Sequence, residues 1–224
     1  MPRPSPDVSI RRHSAGDLFW DFRSGKPLVN YAKGRTCEVD PFPAYAHDLA
    51  TATETLTRVS VRWPLSVPVN VHVLDREEVA RSNGFTSEIE KYSEHSDGRS
   101  GHFLDSIEIV LCGKRIPPHP AVTRYLVAHE YGHAVMFAMA AKYDKSYAAI
   151  VDDYAEIRTL EPSGRTVGGG EWHTSPGEVM ACDFRLTQTR IESEYWPHLG
   201  VPMPGQLPDV VAWWAKTEKE FFGD

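Results

Sequence analysis

The chain has 224 residues, 41% of them hydrophobic and 25% charged, the ordinary globular range and long enough for one substantial core with a small appendage. Its formal charge of −7 argues against a general nucleic-acid binder, because neutralising phosphates requires a clustered Lys/Arg surface. No stretch approaches the roughly 18 uninterrupted apolar residues of a membrane span, and residues 1–16 lack the apolar run of a signal peptide.

Residues 1–30 carry prolines, glycines and charges without sustained periodicity, and are expected to form a flexible N-terminal arm pinned through Leu18, Phe19, Trp20 and Phe22. The body is expected over 31–200. It begins with a helix over 45–63, where the apolar spacing is near 3.6, followed by a strand over 67–74 (VPVNVHVL). Residues 81–101 are rich in Ser, Glu and Gly and are read as a loop. SIEIVLC at 106–112 puts Ile107, Ile109 and Leu111 on one face of a strand, with Glu108 and Val110 on a partly exposed other face.

Pro117, Pro118 and Pro120 lead into a helix over 121–143, since proline suits the entry turn and nothing inside the segment breaks the helix. A second helix is expected over 146–160, then a break at Gly168, Gly169 and Gly170. Ser175, with Pro176 next and Glu178 three residues on, has the form of a capping box opening a helix over 176–195. Residues 201–224 form a proline-containing linker and an amphipathic helix over 210–222, whose stripe of Val210, Trp214 and Phe221 should dock on the chain's own core. Strands and helices of this kind make an α+β fold. Cys37, Cys112 and Cys182 are far apart and show no CxxC spacing, so neither a disulfide framework nor a thiolate zinc site is indicated, and a reducing, cytoplasmic setting is expected.

The chemistry lies in LVAHEYGHAVMF, residues 126–137. His129, Glu130 and His133 spell H-E-x-x-H, and two imidazoles four residues apart stand on one helical face, about 6 Å apart, close enough to share one divalent cation. Their neighbours Ala128, Gly132, Ala134 and Val135 are small or apolar, the setting of a buried metal site rather than of solvated histidines. Glu130 projects to the side of that face, where it can act as general base without ligating. Two nitrogens do not hold Zn2+ well, so a third protein ligand is needed, with the fourth position left for water. Glu178, His173, Asp152, Asp153 and Asp183 are the candidates; Glu178 has a competing structural role as the capping-box acid.

H-E-Y-G-H at 129–133, followed by E-V-M-A-C-D-F at 178–184, resembles the gluzincin zinc metallopeptidases. The E-x-x-A-x-x-F form resembles the ImmA/IrrE-like peptidases, and the 44 residues between His133 and Glu178 look more like the anthrax-lethal-factor-like group. GHF at 101–103 leading into SIEIVLC is also similar to the strand before the active helix in such enzymes, and the resemblance spans roughly residues 67–195. It implies a zincin-like fold: a small twisted sheet with an edge strand beside the H-E-x-x-H helix, and a later helix carrying the third ligand. By the same resemblance His129, His133 and Glu178 hold Zn2+, and Glu130 is the base in the hydrolysis of peptide bonds. Where several gluzincins carry a histidine-orienting aspartate, four residues after the ligand glutamate, this chain has Cys182, with Asp183 next.

His173 and Tyr154 are candidates to stabilise the oxyanion. A peptide or protein substrate is expected in extended form, paired with the edge of SIEIVLC, with no direct nucleic-acid or membrane partner. The alternatives are an inactive zinc- or peptide-binding module and a zinc hydrolase of another bond.

Overall fold

The computed structural model describes residues 6–13, 20–21, 26–27, 45–74, 84–94, 100–113, 117–160, 175–191 and 201–223. A four-stranded mixed sheet carries helices on one face. Its strands are β1 (Val8–His13), β4 (Val69–Leu74), β5 (Gly84–Glu94) and β6 (Ser100–Leu111), in the spatial order β1-β4-β6-β5. Neighbours β1, β4 and β6 run parallel, while β5 is antiparallel to β6 and forms one edge. A separate two-residue ladder joins β2 (Trp20–Asp21) to β3 (Lys26–Pro27).

The helices are α1 (Leu49–Arg62), α2 (Pro120–Tyr143), α3 (Tyr147–Arg158), α4 (Pro176–Phe184) and α5 (Pro208–Phe222). Local chemistry sets their ends. Asp48 caps α1 by accepting from the Thr51 amide, Ser146 caps α3 through the Ala149 amide, and α2 opens with His119 accepting from the Ala121 amide and Pro120 in its first turn. Asp144 ends α2 and Thr159 ends α3, each in the left-handed conformation.

The core lies between the sheet and α2. Alternation turns Val69, Val71 and Val73 of β4, with Ile107, Ile109 and Leu111 of β6, onto the helix-facing side, and all six are buried. A second layer gathers around Trp63, whose ring meets Phe184 and Trp214 edge-on at 5.6 and 6.1 Å. Helix α5 lays Val210, Trp214 and Phe221 into this layer. Removing that apolar stripe from water is what attaches the C-terminal helix.

Several expectations need correction. Residues 8–13, expected in a loose arm, form a sheet strand; its ladder to β4 satisfies backbone groups that a loose arm would leave to water. Most of the expected loop at 81–101 is strand β5. Its composition, GFTSEIEKYSE, conceals the strand because polar residues fill its buried positions, Thr86 and Ser87, and Thr86 bonds Glu130 there. The strand expected at 106–112 begins at Ser100 and is interior, not an edge, and its second face is closed as well: Glu108 is buried, accepting from Asn70, Ser106 and His72, and so is Val110. The helix expected to reach Tyr195 leaves α-geometry after Phe184 and continues as one π-turn, Arg185–Thr189. Arg190, at φ 56°, then ends it. The expected glycine break at 168–170 lies outside the described residues.

Candidate metal centre

Helices α2 and α4 pack antiparallel, and the site is built along their contact. His133 lies against Glu178, Gly132 against Ala181, His129 against Cys182, and Tyr125 under Arg185, so the partner moves forward along α4 as the residue moves back along α2. The close approach rests on Gly132: a Cβ there would lie 2.9 Å from the Ala181 Cα and 3.0 Å from its carbonyl oxygen. Glycine on one helix and alanine on the other bring the backbones near enough for Glu178 to reach both imidazoles.

The His129 Nε2 lies 2.9 Å from Glu178 Oε2, and the His133 Nε2 lies 3.7 Å from Oε1. One ligand atom from each of the three residues falls within 4.8 Å of the others, and His129 and Glu130 are buried. Ser175 makes no side-chain cap to α4. The carboxylate of Glu178 meets the imidazoles and not a capping box. Asp152, Asp153 and Asp183 are not in the group: Asp153 pairs with Lys145 at the surface, and Asp183 turns the other way.

Each imidazole is also held at its other nitrogen. The His129 Nδ1 lies 3.3 Å from Cys182 Sγ, and the His133 Nδ1 lies 3.0 Å from the Tyr147 hydroxyl. A histidine that ligates through Nε2 carries its proton on Nδ1 and donates it to such a partner, so both rings stand in an orientation that a cation could use. Cys182 reaches His129 because it follows Glu178 by one helical turn. Tyr147 had no signal in the sequence beyond following the Ser146 cap.

Charge is balanced within the group. Burial alone would lower both histidines, but Cys182 and Glu178 beside His129, and Glu178 and Glu130 beside His133, raise each to about 9. Glu178, against its own burial, is held well below the ordinary carboxylate range by His133 and His129. Burial opposes ionisation of Cys182 too, yet His129, Tyr125 and Arg185 pull its thiol below the ordinary value. The Tyr147 hydroxyl is pushed well up, first by burial and then by Glu178, so it stays protonated.

Glu130 faces the edge strand. The Thr86 hydroxyl lies 2.8 Å from its Oε2 and 3.0 Å from its backbone oxygen, while a Cβ at Gly84 would come within 3.0 Å of Oε1. Strand β5 therefore both cradles and orients this carboxylate. Burial raises its pKa, against the two imidazoles and Thr86; a carboxylate so placed holds a proton more readily than one in water.

Tyr154 is not brought to the site. Its ring is fully buried beside Trp213 and Trp214, and its hydroxyl donates to Asp183, which also takes two hydrogen bonds from Arg158 at 2.7 and 3.0 Å. The expected role at the oxyanion is withdrawn: this tyrosine anchors α3 to α4. His173 lies outside the described residues. Thr86 was missed because its segment was read as loop.

Comparison of the chain with family models, with curated proteins and with solved structures finds no match in any of the three.

Proposed function

We propose that the chain is a zinc-dependent endopeptidase of the gluzincin type, with His129, His133 and Glu178 holding the ion and Glu130 serving as general base. One observation carries the reading: two imidazoles and a carboxylate converge within 4.8 Å while Cys182 and Tyr147 engage both outward nitrogens. Two nitrogens, one carboxylate and an ordered outer layer form the donor set that suits catalytic zinc. Zinc bound there supplies Lewis acidity, polarising a peptide carbonyl and lowering the pKa of water toward neutrality.

The remaining steps belong to the chain. Glu130 takes a proton from the attacking water and delivers it to the departing amine, a cycle suited by its raised pKa and by the single orientation that Thr86 imposes. The substrate lies extended along β5, since this edge strand, and not the interior SIEIVLC, runs beside Glu130 and among the described residues pairs only with β6. The oxyanion donor is assigned to His173 on sequence grounds alone. Among the described residues no helix is long and apolar enough to cross a membrane. Among the described residues Cys112 and Cys182 form no disulfide, and the cytoplasm is the setting we assign.

The test is elemental analysis of the purified chain with cleavage of a peptide library, with and without chelator. Expected are one zinc per chain, chelator-sensitive cleavage, and a Glu130→Gln variant that keeps its metal but loses turnover by a factor of roughly 100 or more. Zinc without cleavage would leave a binding module, zinc with hydrolysis of another bond would shift the substrate class, and a chain that takes up no zinc would end the proposal.

A further inference from the structure

We propose that Glu88 selects the substrate: its carboxylate makes a subsite for a lysine or arginine side chain of the peptide lying along β5. This rests on the reading of the site as one that binds extended peptides.

The face is fixed by register. Thr86 lies opposite Ile109 and Glu88 opposite Ile107, and both isoleucines are on the buried, helix-facing side of the sheet. Thr86 confirms the direction by bonding Glu130. Glu88 therefore stands on the same face one pleat further along the edge strand, about 7 Å from Thr86 in strand rise. The carboxylate thus lies on the face that turns Thr86 to Glu130, along the edge where a peptide would run.

Its chemistry there is unmatched. Glu88 is half-buried, yet among the described residues it has no hydrogen bond and no ion pair, whereas Glu130 is engaged by Thr86 and Glu178 by both imidazoles. A carboxylate without a partner on this face attracts a cation placed beside it. A peptide strand paired to β5 would set one of its residues opposite Glu88, on the same face, with Cβ atoms about 5 Å apart. Lysine and arginine have the reach and the sign to meet the carboxylate; an acidic residue in that register is repelled. The net charge of −7 acts in the same direction at longer range, drawing cationic segments toward the chain.

The test uses the full zinc-loaded chain and peptide sets that vary one position at a time among Lys, Gln and Glu. Wild type should favour Lys over Gln about three- to fivefold in kcat/KM at one position. Glu88→Gln should erase that ratio, Glu88→Lys should turn the preference to Glu, and added salt should shrink all three differences. In parallel, the same peptides are bound to zinc-loaded Glu130→Gln chain, with and without Glu88→Lys, and followed by fluorescence anisotropy. This arm needs no turnover, so an absence of cleavage overturns the peptidase reading while anisotropy still decides Glu88. Equal affinity for Lys and Glu peptides, or a preference that survives Glu88→Lys, overturns the assignment.

Discussion

Gly132→Ala tests whether the contact between α2 and α4 sets the geometry of the metal centre. The added Cβ would lie 2.9 Å from the Ala181 Cα, where ordinary contact begins at 3.4 Å, so the backbones must part by 3.4 − 2.9 = 0.5 Å. Neither neighbour can yield alone, because both nearest atoms belong to the Ala181 backbone. Overpacking of this kind costs about 1–3 kcal/mol, partly offset by the roughly 1 kcal/mol that alanine gains over glycine inside a helix, so a stability loss of up to about 2 kcal/mol is expected. The effect on the site is larger. His129 and His133 ride on one helix and Glu178 on the other, and metal–ligand distances tolerate only about 0.2 Å. Zinc affinity should therefore fall about 10- to 100-fold, as when an outer partner of a ligand is lost. Competition against a chromophoric chelator measures the affinity and denaturant titration of the metal-free chain the stability. Gly205→Ala is the control, since no atom lies within 4 Å of its Cβ position. A Gly132→Ala chain that binds zinc as tightly as wild type would refute the claim that this contact positions the ligands.

Cys182→Ala should leave the fold intact and weaken zinc binding about tenfold by releasing the His129 Nδ1; unchanged affinity in the same titration would remove Cys182 from the site. Asp183→Ala should cost about 3–5 kcal/mol, because it breaks a buried ion pair with Arg158, which is 5% exposed. Lys145→Ala at the exposed pair with Asp153 should cost under about 1 kcal/mol, and equal midpoint shifts for the two variants would contradict this ranking. Burial would raise the Glu108 carboxyl, but His72, Asn70 and Ser106 hold it below its ordinary value of 4.5. It therefore binds fewer protons folded than unfolded. Its contribution is complete above about pH 4.5 and is lost as pH falls through the lower folded value. Glu108→Gln should flatten the decline of stability as pH falls below about 4.5, and an unaltered acid slope in urea titrations would show that the group is not linked to folding.

The sequence by itself determined the part of the site that is local. His129 and His133 share a face because the helical repeat puts residues four apart one above the other, and the helix around them needs nothing beyond its own hydrogen bonds and a proline at its entry. Glu178 was legible as the leading candidate, whereas Cys182 stood out in the sequence only as a departure from an aspartate. Which acid faces the imidazoles was decided only by tertiary packing. Gly132 and Ala181 are close because two helices distant in sequence meet there, and that contact turns Glu178 inward while Asp183, five residues on, points to Arg158 and Tyr154. Strand β5 was unreadable for a related reason. It takes its hydrogen bonds from β6 and fills its buried positions with Thr86 and Ser87, so its residues carry weak apolar alternation, and Thr86 and Glu88 acquire their roles only when β6 and α2 are folded against them.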